Sequence, residues 1–215
     1  MHGLAQRCYT QAAGLACYAG DSAYGALITE HLATQALFLG HTRTAVRLAR
    51  TAREGGGRSM PAALAARIAV TEARAHALLG DGHEATRMLR AGEQAMDRAN
   101  PVHSPDWMSA CTRAHFAGSA MHALRDLGRY EEAARYAADA LDLPSENVRT
   151  HALHTVLYAS VLAARGDLDG ATGIALQVRS AATAIKSTRL NDRLGEFAAR
   201  LAPHRAARVA ADYLQ

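Results

Sequence analysis

Material for β-strands is scarce in this chain. Aromatic residues make up 5 % of its 215 residues, and much of the 49 % apolar share is alanine. Ordering alanine costs no side-chain entropy, so it favours helix, whereas sheets draw on β-branched and aromatic side chains. Lysine is nearly missing as well: Lys186 is the only one among 24 basic residues. Arginine therefore carries the positive charge, interleaved with 20 acids to a net charge of +4. No basic run of the kind that tracks a phosphate backbone occurs. The three cysteines, Cys8, Cys17 and Cys111, form no CxxC pair and no zinc spacing, so they read as free thiols of a reducing compartment. Nor is there an apolar run of about 18 residues or a signal-peptide core. The expectation is a cytoplasmic, all-α protein.

What is present is a recurrence. Gly40-His41-Thr42-Arg43-Thr44-Ala45 is followed by Ala49, and Gly80-Asp81-Gly82-His83-Glu84-Ala85 by Leu89. Gly128-Arg129-Tyr130-Glu131-Glu132-Ala133 is followed by Ala137, and Gly166-Asp167-Leu168-Asp169-Gly170-Ala171 by Ala175. An apolar helical pattern precedes each glycine. The physical reading is a helix, a glycine turn and a second helix, because glycine takes the left-handed helix end without steric cost. The alanine five residues on lets the second helix approach the first, and the small or apolar residue four further on continues that seam. The four glycines stand 40, 48 and 38 residues apart, somewhat longer than the tetratricopeptide period of about 34.

The expected architecture is a tetratricopeptide-like solenoid of about eleven helices in a single domain, 1–215. An incomplete first hairpin occupies 1–20. Complete hairpins occupy about 22–55, 60–100, 104–143 and 146–184, and C-terminal helices occupy 188–214. Gly55-Gly56-Gly57 ends one helix, and Asn100-Pro101-Val102-His103-Ser104-Pro105 forms a long joint. Ser145 after Pro144 is the expected cap of the next helix, and Pro203 separates a penultimate helix from a last one, His204 to Leu214. Residues 1–20 align with the second helix of a hairpin and carry an apolar stripe, Leu4, Ala5, Cys8, Ala12 and Leu15. A second copy of the chain or an upstream domain is expected to cover that stripe.

A set of segments in sequence order carries a family resemblance. They are His2-Gly3-Leu4-Ala5-Gln6-Arg7, Gln35-Ala36-Leu37-Phe38-Leu39-Gly40 and Glu72-Ala73-Arg74-Ala75-His76-Ala77-Leu78-Leu79-Gly80-Asp81. Pro105-Asp106-Trp107, Asp126-Leu127-Gly128-Arg129 and Arg200-Leu201-Ala202-Pro203-His204 complete the set. Together they resemble the C-terminal tetratricopeptide region of actinobacterial helix-turn-helix transcriptional regulators of the Xre type, along essentially the whole chain. The resemblance implies a sensing and dimerising part whose DNA-binding domain is a separate N-terminal unit. No helix-turn-helix pattern with a basic recognition helix occurs in residues 1–60. The chain departs from the family after Trp107, where Met108 to Arg113 replace acidic residues.

Tetratricopeptide arrays bind through the inner face of the first helix of each hairpin. Counting back from each turn glycine places Glu30, Thr34 and Phe38 on that face, then Arg67, Arg74 and Leu78, then His115, His122 and Arg125. A groove with a basic centre suits a carboxylate, a peptide or an anionic metabolite; the competing reading is an ordinary solvated face. Glu72 and His76, one turn apart at positions expected to be buried, form a candidate buried polar pair. A buried glutamate needs partners, so they read as an interhelical hydrogen bond or as a ligand anchor. His151 and His154 have a metal-compatible spacing but no accompanying carboxylate motif. No nucleophile elbow or phosphate-cradling loop occurs.

The expected function is therefore regulatory: a non-enzymatic module that binds a small molecule or peptide, forms a homodimer, needs no cofactor or metal and does not itself bind DNA. Two alternatives stand beside it. One is a complete regulator acting on DNA through a helix-turn-helix outside this chain, and the other is a helical enzyme that reuses the groove.

Overall fold

A computed structural model describes residues 2–57, 60–100 and 106–215. The described residues form twelve α-helices and no strand. They are α1 His2–Tyr18, α2 Ser22–Phe38, α3 Thr42–Gly55, α4 Ala62–Leu78, α5 Gly82–Asp97 and α6 Arg113–Asp126. Then come α7 Tyr130–Arg135, α8 Ala137–Leu141, α9 Val148–Ala164, α10 Leu168–Ile185, α11 Thr188–Leu201 and α12 Arg208–Leu214. Twelve replace the expected eleven because the helix from Tyr130 breaks at Tyr136, whose N–H reaches back three residues to Ala133 O at 3.2 Å. Residues 101–105 of the proline-containing joint lie outside the described residues.

The chain gathers into two compact units, 1–127 and 128–215. In the first, α1 packs on α2, α2 on α3, α3 on α4, α4 on α5, and α4 also on α6. The turns follow one design. At Gly40 (φ +74°) and Gly80 (φ +76°) the helix ends in a left-handed residue. The N–H that follows each of them closes a six-residue ring, His41 N–H to Ala36 O at 2.8 Å and Asp81 N–H to His76 O at 3.0 Å. Gly166 repeats this in the second unit, where Asp167 N–H reaches Leu162 O at 3.0 Å. Gly128, also at positive φ, opens the second unit. The alanine five residues after each glycine, Ala45, Ala85, Ala133 and Ala171, is wholly buried.

Three of the turns combine the stop signal with the next start. Asp21, Asp81 and Asp167 follow glycines at positive φ, and their carboxylates accept the N–H of Tyr24, Glu84 and Gly170 at 2.9, 3.1 and 2.9 Å. The Gly20 turn between α1 and α2 belongs to this set and was not among the expected four. The expected cap at Ser145 is corrected. Asn147 N–H bonds to Pro144 O at 2.9 Å, which draws Ser145 into a turn, and α9 starts at Val148. Likewise α12 begins at Arg208, because Ala202–His204 form a separate 3-10 turn around Pro203.

Helix α1 carries two apolar stripes rather than one. Ala16 is buried with Ala5, Tyr9 and Ala12 half-buried, whereas Leu4, Cys8, Leu15 and Tyr18 are exposed. In the first unit the core continues through Leu27, Leu64, Ile68 and Met108. Phe116 of α6 lies over Gly92 of α5, where an added Cβ would come within 2.6 Å of the ring. The second unit centres on Val156, Leu162, Leu190, Phe197 and Leu201. There Tyr213 of α12 meets Phe197 edge-on at 5.1 Å, and Arg179 lies 4.9 Å above the Tyr213 ring.

Ala45→Leu should destabilise the protein by about 1–3 kcal/mol, because overpacking a seam without free volume forces the helices apart. Gly92→Ala should act in the same direction through Phe116. Denaturant melts of both variants test this, and a wild-type midpoint for either would refute the packing described.

Candidate functional site

Helices α2, α4 and α6 of the first unit carry the charged residues that sequence reasoning selected. Glu30 is 1 % exposed, and both of its oxygens are engaged. Arg67 Nε donates to Oε2 at 2.7 Å, while the hydroxyls of Thr34 and Thr71 donate to Oε1 at 2.7 and 2.8 Å. His31 Nδ1 stands 3.6 Å from Oε2. Arg67 also donates to Ala110 O at 3.2 Å, tying the segment before α6 to this cluster. Burial pushes the Glu30 carboxyl up, but the Arg67 charge, then His31 and the hydrogen bonds, outweigh it and hold the group below its ordinary value. Burial raises the neighbouring Cys111 thiol, with Arg67 opposing and Glu30 reinforcing. That leaves a poor nucleophile beside a carboxylate already committed to three donors.

The structure thus brings Glu30, Thr34 and Arg67 together and adds Thr71, which sequence reasoning missed. Thr71 stands one turn beyond Arg67 on α4, and that spacing was the available signal. The other selected cations are less open than the lining of a binding groove would have to be. Arg74, His122 and Arg125 are all buried. Arg125 spends its guanidinium on Asp126, with Nε at 2.9 Å and Nη2 at 2.6 Å from Oδ1. His115 Nδ1 lies 2.8 Å from the hydroxyl of Thr112, the residue that caps α6. Of the selected positions, Phe38 and Leu78, at the ends of α2 and α4, are exposed, and Thr34, Arg67 and His115 are half-buried.

Glu72 and His76 are both buried and take different partners. Arg53 Nε donates to Glu72 Oε2 at 2.9 Å, and Arg50 Nε lies 3.8 Å from Oε1. His76 Nδ1 sits 3.3 Å from Asp81 Oδ2. In the second unit His154 Nδ1 faces the carbonyl of Ala140 at 2.7 Å, and His151 Nδ1 lies 3.4 Å from the Thr155 hydroxyl. The two imidazoles therefore have separate protein partners. Comparisons with protein-family models, curated proteins and solved structures find no match to the chain.

Glu30→Ala should cost about 3 kcal/mol, since it leaves Arg67 largely buried without its counter-charge. The depressed folded-state value of Glu30 fixes the sign of the pH effect. Its contribution is complete above the unfolded carboxyl value of about 4.3 and is lost as pH falls through the folded value. Acid melts of Glu30→Gln should therefore fall less steeply below that range than those of the wild type. Equal slopes would contradict this account.

Proposed function

We propose that this chain is a non-catalytic regulatory module of tetratricopeptide-like hairpins that binds a small molecule or peptide. The observation that carries this reading is the recurrence of one turn, a left-handed glycine followed five residues later by a wholly buried alanine, at Gly40, Gly80 and Gly166. A chain that repeats one unit builds long, similar surfaces rather than a single catalytic cleft. The family resemblance supports the same reading. On it, the chain is the sensing part of an actinobacterial Xre-type regulator, acts in the cytoplasm as a homodimer and leaves DNA contact to another domain. Among the described residues no helix is long and apolar enough to cross a membrane.

In this reading the Glu30–Arg67 cluster sets the distance between α2 and α4. The contact surface is the neighbouring open edge formed by Phe38 and Leu78. The exposed Leu4, Leu15 and Tyr18 of α1 offer a face for a second copy. The alternative, a complete regulator acting on DNA through a helix-turn-helix outside this chain, leaves this chain the same role; direct DNA contact by this chain finds less support because several arginines are paired, Arg53 with Glu72, Arg67 with Glu30, Arg125 with Asp126 and Arg165 with Glu131.

Native mass spectrometry of the purified chain tests the proposal. A retained ligand or peptide complex is expected, and it should be lost in the Phe38→Glu, Leu78→Glu variant, whose melting transition stays intact because both side chains are exposed. Absence of any bound species at every concentration, or a specific salt-resistant gel shift with one DNA operator, would overturn it.

A further inference from the structure

Helix α1 packs on α2 with Ala5, Tyr9, Ala12 and Ala16, which are buried or half-buried. Its exposed residues include a second ordered stripe. Leu4, Cys8, Gln11, Leu15 and Tyr18 follow one another at spacings of four, three, four and three residues, and all five are exposed. Tyr18 is 94 % exposed and Leu15 70 %. Alternation of four and three averages 3.5 residues, the repeat that keeps a seam facing one partner helix along its whole length. The stripe therefore has the form of one half of a two-stranded coiled coil.

The size of the seam residues shows what kind of helix fits over them. Helices α1 and α3 end at glycines of nearly identical conformation, Gly20 (φ +70°) and Gly57 (φ +69°). Counted back from these glycines, Cys8, Ala12 and Leu15 occupy the places of Ala45, Ala49 and Ala52. The three alanines of α3 are buried, and Ala52 and Ala45 share clusters with Leu27 and Leu37 of α2, the helix joined to α3 by a tight turn. A helix tied by such a turn demands a methyl group at the closest approach. Cysteine and leucine hold a neighbour at the wider separation of a coiled coil, so this face suits a helix that no tight turn connects to α1.

The chemistry of the seam fits a second α1. None of its five residues is charged, and Arg7 is the only arginine, lysine, aspartate or glutamate in the helix. A partner of opposite charge finds little to recognise here, whereas a two-fold axis can set each seam residue beside its own copy without like-charge repulsion. Gln11 fixes the direction. In a parallel pair its amide lies beside the identical amide, and each can donate to the other. In an antiparallel pair the spacings set Gln11 opposite Cys8 or Leu15, which would bury an unpaired amide. Because α1 is already formed on α2, pairing avoids most of the ordering cost that makes a free peptide of two heptads unstable.

We propose that two copies of this chain pair through α1 in a parallel coiled coil whose seam is Leu4, Cys8, Gln11, Leu15 and Tyr18. This rests on the homodimer part of the regulatory reading and gives it an interface. The Phe38–Leu78 edge takes no part in it.

Sedimentation of the reduced full chain should show a dimer at micromolar concentration. Leu4→Glu, Leu15→Glu should be a monomer with an unchanged circular dichroism spectrum, since both side chains are exposed. The Phe38→Glu, Leu78→Glu variant should stay dimeric, so that loss of ligand and loss of the dimer are read separately. A second measurement needs no variant to fold. Oxidation of the wild type with diamide should join the two copies through their Cys8 thiols and leave Cys17, which falls outside the seam spacing, a free thiol in peptide mass spectrometry. A monomeric wild type, a dimer that survives the Leu4 and Leu15 substitutions, or a dimer in which Cys8 stays reduced would overturn the proposal. The first result would remove the homodimer as well, the other two would leave it standing on another face, and none of them bears on ligand retained at the Phe38–Leu78 edge.

Discussion

Two helices joined by a turn of three residues have to pack almost backbone to backbone, and that constraint governs this protein. The first helix must end in a left-handed residue so that the chain can reverse, and the second must place a side chain no larger than a methyl where the axes come closest. Gly40 with Ala45, Gly80 with Ala85 and Gly166 with Ala171 meet both demands. Once the pairs are this close, little room remains for large apolar residues in the seam. That explains how a chain so poor in aromatics can hold a core: alanine supplies contact through proximity rather than through area.

Close packing raises the stakes for polar groups placed on the same helices. Glu30 and Glu72 lie in the first unit where water cannot reach them, and each is answered by arginine from another helix, Arg67 in one case and Arg53 in the other. A buried carboxylate with its partner in place adds little net stability, but one without its partner costs several kcal/mol. These pairs therefore select one way of bringing the helices together.

The hairpin turns were legible in the sequence because glycine and alanine leave a local, periodic mark. The Gly20 turn escaped because Gly25 occupies the place where the other turns carry alanine. Thr34 and Glu30 could be placed on one face by their spacing. Pairing Glu30 with Arg67 could not be foreseen, since 37 residues separate them and no local rule links them. Burial of Arg74 and Arg125 was likewise invisible: a first-helix position looks the same in sequence whether its neighbours leave a groove or close over it. The break at Tyr136 and the turn at Ser145 depend on single hydrogen bonds, which composition does not encode.

Trp107 follows from none of the repeat rules. It lies in the first unit, half-buried, with its ring 5.4 Å from Tyr24 in an edge-on contact. The second unit contains no tryptophan at all. Light absorbed selectively by indole is thus emitted from one half of the molecule, and a fluorescence record of unfolding is blind to the other half. Circular dichroism, to which every helix contributes, sees both. A gap between the two signals would measure directly how independently the two units of this chain come apart.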